Sequence, residues 1–395
     1  MLRFVKSSCK GRKNMNNQIK ERNSHVEIHQ RNHNCQRKAY LDNIRWLTVV
    51  IVVIYHVIYM YNGVQPFGVL GAFHENQLQD GFLYFVYPWF MALLFVVSGM
   101  SARFFLENRG LEGYVRIKTR KLLVPSTIGL FVFQWILGYF NMQIGGAGDF
   151  QAVPAPIFYL IMAVSGTGPL WYIQMLWVFS LLLLLVRKVE KDRLWKLGEK
   201  TPVWLVICFA VVVYGAAQVL NTPIITVYRF GIYGFCFFVG YFVFSHEEII
   251  DRLGNIWWLL DVTAIGLGIT YTVFYFGENY ATEPTINNVL ACVYCWIAIL
   301  AIFATMKKFG DKTTAFTAWM SSKSWGLYIF HYLPLAVCAF YLNQYVPDLP
   351  GILVYLFVGV SAFVGAYVLN EIISRIPVLR WCVLGIKKEK KSVSR

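Results

Sequence analysis

Residues 40–58 read YLDNIRWLTVVIVVIYHVI. Beyond Arg45 the stretch carries no Lys, Arg, Asp or Glu, and the apolar run it opens, roughly 44–62, is long enough to span a bilayer. At about 1.5 Å of rise per residue it covers a hydrocarbon core of roughly 30 Å. Nine further runs of similar length follow, near 83–104, 122–141, 168–186, 203–220, 225–245, 256–276, 286–306, 324–344 and 351–373. The cations sort with them. Of 36 Lys and Arg residues, eleven lie in 1–45, six in 103–121, six in 187–200, one in 246–255, four in 307–323 and seven from Arg375 onward. The alternate loops 63–82, 142–167, 221–224, 277–285 and 345–350 carry none, and Arg229 alone falls inside a run. This is the positive-inside pattern, and it predicts an all-α polytopic protein of ten transmembrane helices with both termini cytoplasmic. A miscounted span would put every later cation on the wrong side.

With 57% hydrophobic residues among 395, little of the chain is left for a water-soluble domain. The net charge of +15 would suggest nucleic acid in a soluble protein. Here the cations border helix ends, so anionic lipid headgroups are the expected partners and nucleic acid is not. The expected location is the cell membrane, as a multi-pass protein. The eight cysteines do not pair by spacing. Cys292 and Cys295 resemble half of a metal or redox site, but no second pair or histidine accompanies them, so they read as small apolar packing residues and no metal site is expected.

The domain reading is a basic, disordered cytoplasmic tail over 1–39, a ten-span membrane domain over 40–375 and a basic cytoplasmic tail over 376–395. The first 38 residues lack an apolar core, so they predict no cleavable signal peptide, and the first span is expected to act as an uncleaved signal anchor. His25, His29 and His33 recur at four-residue spacing but read as solvated tail residues. In the Gly- and Pro-rich loop 142–167, the apolar piece 157–164 is too short to cross and is expected to lie along the outer interface or to re-enter the bundle. RKVEKDRLWKLGEK (187–200) reads as a short solvated helix. Trp171, Trp204, Trp257, Trp258, Trp319 and Trp325 fall near span ends, as interfacial anchors do. The lack of an internal repeat weighs against a transporter of duplicated halves.

Ionisable groups deep in a bilayer are costly, so the few present are informative. Only His56 and His331, of seven histidines, lie inside spans. His56 is about 11 residues, roughly 16 Å, from the end marked by Arg45. Eleven steps of about 100° return to within roughly 20° of the same face. One face therefore carries a guanidinium at the cytoplasmic mouth and an imidazole three turns deeper, with Asp42 placed at i−3 to orient Arg45. A desolvated imidazole stays neutral near pH 7 and can take a proton from a hydroxyl. A guanidinium can hold a phosphate-bearing molecule through two bonds. The bland reading is a packing histidine bonded to a neighbouring helix, with Arg45 snorkelling to the interface. Arg116, Lys118, Arg120 and Lys121 open the third span, serving as a topology determinant, a phosphate cradle or both.

These pieces join in a resemblance. YLDNIRWLTVVIVVIYHVI (40–58) is similar to the opening of the membrane-bound acyltransferase 3 family: a Leu-Asp-x-x-Arg segment, then Arg-x10-His, here Arg45 and His56. YPWFMALLFVVSGMSARFFL (87–106) resembles its Pro-x-Phe-Met…Phe-x-x-Ser-Gly segment, carried by Pro88, Phe90, Met91, Ser98 and Gly99. GPLWYIQMLW (168–177), SSKSWGLYIFHY (321–332) and the span count also match, over about 40–375. One departure stands out: where the family commonly has an Arg-x-x-Arg pair before the proline of span 3, here Pro125, this chain has Lys118 and Lys121. Lysine keeps the charge but loses the planar fork.

The resemblance implies O-acylation of glycans or other hydroxylated acceptors, by an acyltransferase of groups other than aminoacyl. It implies acyl-CoA, most often acetyl-CoA, as a co-substrate reached from the cytoplasm rather than a resident cofactor. Arg45, Arg116, Lys118, Arg120 and Lys121 would then hold the donor, and positive charge at that mouth suits its phosphates. His331, with Tyr328 a turn before it, reads as a donor-positioning group, a second proton-handling site or a packing histidine. Trp171, Tyr172 and Gln174, at the outer end of span 4, could stack on and hydrogen-bond an acceptor sugar, or serve as interfacial anchors. Arg229 needs a partner, and Asp80, Glu75, Glu278 and Glu283 are the candidates; Asp80 is also carried as an acceptor-side residue. The competing readings are an exporter of a glycolipid or small solute, equally compatible with the composition, and a sensor without chemistry. The sensor gives no reason to bury His56.

Overall fold

The computed structural model describes residues 38–64, 68–75, 77–146, 153–222 and 225–387. His25, His29 and His33, Cys9 and Cys35, and the C-terminal residues 388–395 lie outside these segments, as does Gly148 of the long loop. The described chain is helical, 79% of it, with no strand; an isolated bridge joins Asn221 and Arg229.

Seven helices are long and apolar enough to cross a membrane: α1 (Ala39–Tyr59), α2 (Leu78–Asn108), α3 (Gly110–Ile144), α5 (Gly168–Glu190), α10 (Trp257–Tyr275), α11 (Val289–Phe309) and α14 (Gly351–Arg375). An eighth is a bent pair, α12 (Ala315–Phe330) and α13 (Tyr332–Tyr345), meeting at 53°. The remaining helices are shorter: α4 (Ala155–Ser165), α6 (Arg193–Glu199), α7 (Val203–Ala217), α8 (Phe230–Phe244), α9 (Glu247–Gly254) and α15 (Pro377–Leu384). The chain is a multi-pass membrane protein.

Every expected span has a helix at its position, but three differ from the sequence reading. The segments expected at 203–220 and 225–245 give the shorter α7 and α8. Between them the chain turns, with Gln218 Nε2 donating to Asn287 O at 2.7 Å and the Asn221–Arg229 bridge closing the turn. Residues that look span-like by hydropathy are spent on that turn. The segment expected as one straight span at 324–344 is broken at His331. Pro334 supplies the cause, because it has no N–H to give Phe330 and its ring clashes with that carbonyl four residues back.

Burial ranks the helices. Windows of α2 and α11 are 72% and 67% buried, whereas those of α10 and α14 are 22% buried, so the former are the centre of the bundle and the latter face outward. α2 and α8 cross through glycines: a Cβ on Gly99 would collide with the Phe237 carbonyl, and one on Gly240 with that of Val96. Overpacking of this kind costs about 1–3 kcal/mol. Gly99→Ala is therefore expected to melt at lower temperature in detergent, and an unchanged melting curve would refute the close crossing. Ser98 beside it bonds Tyr172, Oγ to OH at 2.8 Å, so this dipeptide works as a helix-crossing element. Gly110, at φ 68°, supplies the left-handed residue that separates α2 from α3.

At the cation-rich end, Arg103 is buried. It donates to Glu107 and Asp192, both at 2.6 Å, and its guanidinium lies 4.0 Å over the Trp195 ring. The 187–200 segment carries the expected short, largely exposed helix, α6, but only over Arg193–Glu199. α5 runs on to Glu190, the chain breaks at Lys191 and Asp192 in left-handed conformations, and Trp195 is drawn into the core's edge. The apolar piece 157–164 forms most of α4, which packs on the last turns of α3; Asn141 Nδ2 donates to Ser165 O at 2.9 Å.

Candidate active site

His56 stands in the last turn of α1, and the face it shares with Val52 and Tyr59 is set by three- and four-residue spacing. That face looks into a cavity of about 390 Å³. Aromatic rings dominate its wall: Tyr55, Tyr59, Tyr87, Trp171, Tyr233 and Tyr332. The cavity is also lined from Gly68, Asn141, Ser165, Gly168, Thr226 and Ala281, which lie in or beside the loops that carry no cation. It therefore opens at the end of the bundle opposite Arg45. Asn141 Oδ1 is buried and has no hydrogen-bond partner among the described residues.

The break between α12 and α13 brings His331 against His56. Their ring centroids are 5.0 Å apart, and His331 Nε2 lies 3.2 Å from His56 Nδ1. His56 Nδ1 is also 2.8 Å from Val52 O, while His331 Nδ1 is 3.1 Å from Leu327 O and 2.9 Å from Tyr328 O. The Nε2 of His56 makes no hydrogen bond among the described residues. His331 itself is fully buried and forms no part of the cavity wall. The structure thus places His331 behind His56 rather than at the cationic mouth.

At the other end of α1, Arg45 Nη1 donates to Asp42 Oδ1 at 2.8 Å, and Nη2 bonds Ser101 Oγ on α2. Its side chain is 37% exposed, open enough to meet a ligand. Lys118 lies within electrostatic reach of both Arg45 and Lys121, and its ammonium is 5.4 Å from the Tyr114 ring centre. The expected cluster divides here. Lys118 joins Arg45 and Lys121 lies exposed nearby, Arg116 is exposed, and Arg120 Nε is turned to Gly385 O at 3.1 Å, fastening the end of α15.

The four acceptor-side residues also separate. Trp171 lines the cavity. Tyr172 lies behind it, its OH held by Ser98 Oγ and Leu94 O. Gln174 is held at both polar atoms, donating to Ser126 O at 3.2 Å and accepting from Tyr228 OH at 2.6 Å. Asp80 is a loop brace, accepting from Gly63 N at 3.1 Å and from Gln77 Nε2 at 3.3 Å. Arg229 reaches a carboxylate only through an amide: its Nη2 donates to Asn287 Oδ1, whose Nδ2 donates to Glu283, both at 2.5 Å. Asp80, Glu75 and Glu278 do not pair with it.

Sequence reading missed most of the wall. Tyr59 was recoverable, three residues after His56 on the same face. Tyr87, Tyr233 and Tyr332 come from three other helices and carry no local signal. No group of three or more metal-ligating side chains occurs among the described residues.

A protein-family profile described as an acyltransferase domain matches residues 38–371. No curated protein and no solved structure matches the chain. Nearly all of the sequence lies within that match, so the chain belongs to the acyltransferase 3 family and is a membrane acyltransferase.

Proposed function

We propose that this acyltransferase moves an acyl group, acetyl in the first instance, from cytoplasmic acyl-CoA to a hydroxyl of a glycan presented from the far side of the cell membrane. In this reading the membrane domain, 40–375, has ten spans, with α7 and α8 completing the count as short ones, and both termini lie in the cytoplasm. The observation that carries the proposal is the placement of His56: one nitrogen tied up within the bundle, the other unpaired at the wall of an aromatic cavity. Arg45 stands three turns away towards the other end of α1, with Lys118 within electrostatic reach of it.

Arg45, Lys118 and Lys121 fit a donor with several phosphates. A guanidinium already oriented by Asp42 can bind one phosphate through its fork, and two ammonium groups supply point charges beside it. The donor's arm then has to rise about 16 Å along α1 to bring its thioester to His56. Tyr and Trp faces suit the apolar side of a sugar ring.

As the acceptor oxygen attacks the thioester carbonyl, His56 Nε2 takes its proton and the carbon–oxygen bond forms. Collapse breaks the carbon–sulfur bond, and the departing sulfur receives that proton from His56. The acyl group crosses the membrane without coenzyme A crossing. The exporter reading lacks this: moving a solute needs no basic nitrogen at the wall of a cavity. Envelope glycans from cells with and without the intact protein, compared by mass spectrometry, should differ by acetyl groups; identical glycans would count against the proposed acceptor class.

Replacing Lys118 and Lys121 together by alanine is expected to raise the KM for acetyl-CoA by roughly tenfold or more, each tenfold being about 1.4 kcal/mol, with kcat little changed. An unchanged KM would assign both lysines to topology alone.

A further inference from the structure

We infer that His331 is a positioning residue: by accepting the Nδ1 proton of His56, it fixes the tautomer in which the nitrogen at the cavity is the basic one. This rests on reading His56 as the base. Two neutral imidazoles in contact must divide a donor and an acceptor between them, and the surroundings of each ring decide the division.

The tautomer of His331 is set first. Its Nδ1 faces two carbonyl oxygens, of Leu327 and Tyr328, and a carbonyl can only accept. Nδ1 therefore carries the hydrogen and Nε2 the lone pair. That lone pair is 3.2 Å from His56 Nδ1, whose other close neighbour is the Val52 carbonyl at 2.8 Å. Both neighbours of His56 Nδ1 are acceptors, so the proton of neutral His56 resides there, and Nε2 is left bare at the cavity. Val52 O alone, one turn below on the same helix, would leave the ring free to swing about its side-chain bonds. The contact from His331, at the break between α12 and α13, pins it from outside its own helix.

Many catalytic histidines are oriented by a carboxylate on the far nitrogen. Among the described residues no Asp or Glu hydrogen-bonds either ring, so here the second imidazole fills that place. His331 can do so because Pro334 breaks the helix just beyond it. Being fully buried and absent from the cavity wall, it touches neither donor nor acceptor and acts only through His56.

The side-chain amides of Asn and Gln separate the two nitrogens of His331. Asn places an amide where Nδ1 was and can still donate to the carbonyls; Gln places its amide where Nε2 was and can still accept from His56. Inverted vesicles from cells producing each variant, given acetyl-CoA labelled in the acetyl group, report transfer into the glycan fraction; folded protein is normalised by gel filtration. His331→Ala and His331→Asn are expected to lower kcat about 10²-fold with the KM for acetyl-CoA unchanged. His331→Gln should stay within about tenfold of the unsubstituted protein. Asn performing as well as Gln, or a raised KM at constant kcat, would overturn the assignment. A second measurement needs no variant: nitrogen NMR of histidine-labelled protein should show His56 protonated at Nδ1 and bare at Nε2, and the reverse tautomer would overturn it too. If His56→Ala still transfers acetyl groups, the base reading itself falls. If it does not, while Asn and Gln at 331 behave alike, only the role of His331 falls.

Discussion

Replacing His56 by alanine is expected to lower kcat for acyl transfer by about 10²–10⁴-fold, the usual contribution of a positioned general base, while the protein still inserts and folds. The ring is a wall element rather than a keystone of packing: it is only partly buried, and the core of α1 is built from Tyr40, Leu41, Ile44, Val49, Val52 and Val53. The truncation opens space into an existing cavity. It removes the bond to His331 Nε2, whose ring stays anchored by Leu327 O and Tyr328 O. The loss should therefore fall on kcat, with KM for the donor unaffected because Arg45 stands three turns away. The measurement is steady-state transfer with varied acetyl-CoA, alongside a melting curve. A fall in kcat matched by an equal loss of folded protein would reassign His56 to structure.

The second large effect is expected at Arg45. Its guanidinium is oriented by Asp42 at 2.8 Å and by Ser101, with over a third of the side chain still open to a ligand. A hydrogen bond to a charged group contributes about 1.5–3 kcal/mol. Arg45→Ala should therefore reduce kcat/KM for acetyl-CoA by about 10- to 100-fold, mainly through KM. Arg45→Lys should restore little, since an ammonium cannot reach Asp42, Ser101 and a phosphate in one plane. Recovery by lysine would show that charge alone matters at this position. The contrast with Lys118, where the family pattern would have arginine, makes the two substitutions informative together.

Much of the fold was legible because a bilayer imposes length and sign. Apolar runs and the sorting of cations placed a helix at every expected span. The exceptions have local causes that hydropathy averages away. The turn tied by Gln218 and Arg229 consumes apolar residues between α7 and α8, and Pro334 breaks what a hydropathy window reads as one helix. The pairing of Asp42 with Arg45 followed from i+3 spacing and is present. The contact of His56 with His331 did not follow, because it depends on that break and on packing between residues 275 positions apart. The surroundings of Tyr172 and Gln174 were equally illegible. Their types suit sugar binding, but tertiary neighbours on α2, α3 and the turn before α8 have taken up their polar atoms.

The most direct measurement is transfer of labelled acetyl from acetyl-CoA, supplied to the cytoplasmic face of inverted membrane vesicles, by the unsubstituted protein and by His56→Ala. Label entering the glycan fraction with an equal release of free coenzyme A thiol, and background levels of both with His56→Ala, is the expected result. Transfer by His56→Ala at the unsubstituted rate would contradict a reaction run through the bare nitrogen of His56.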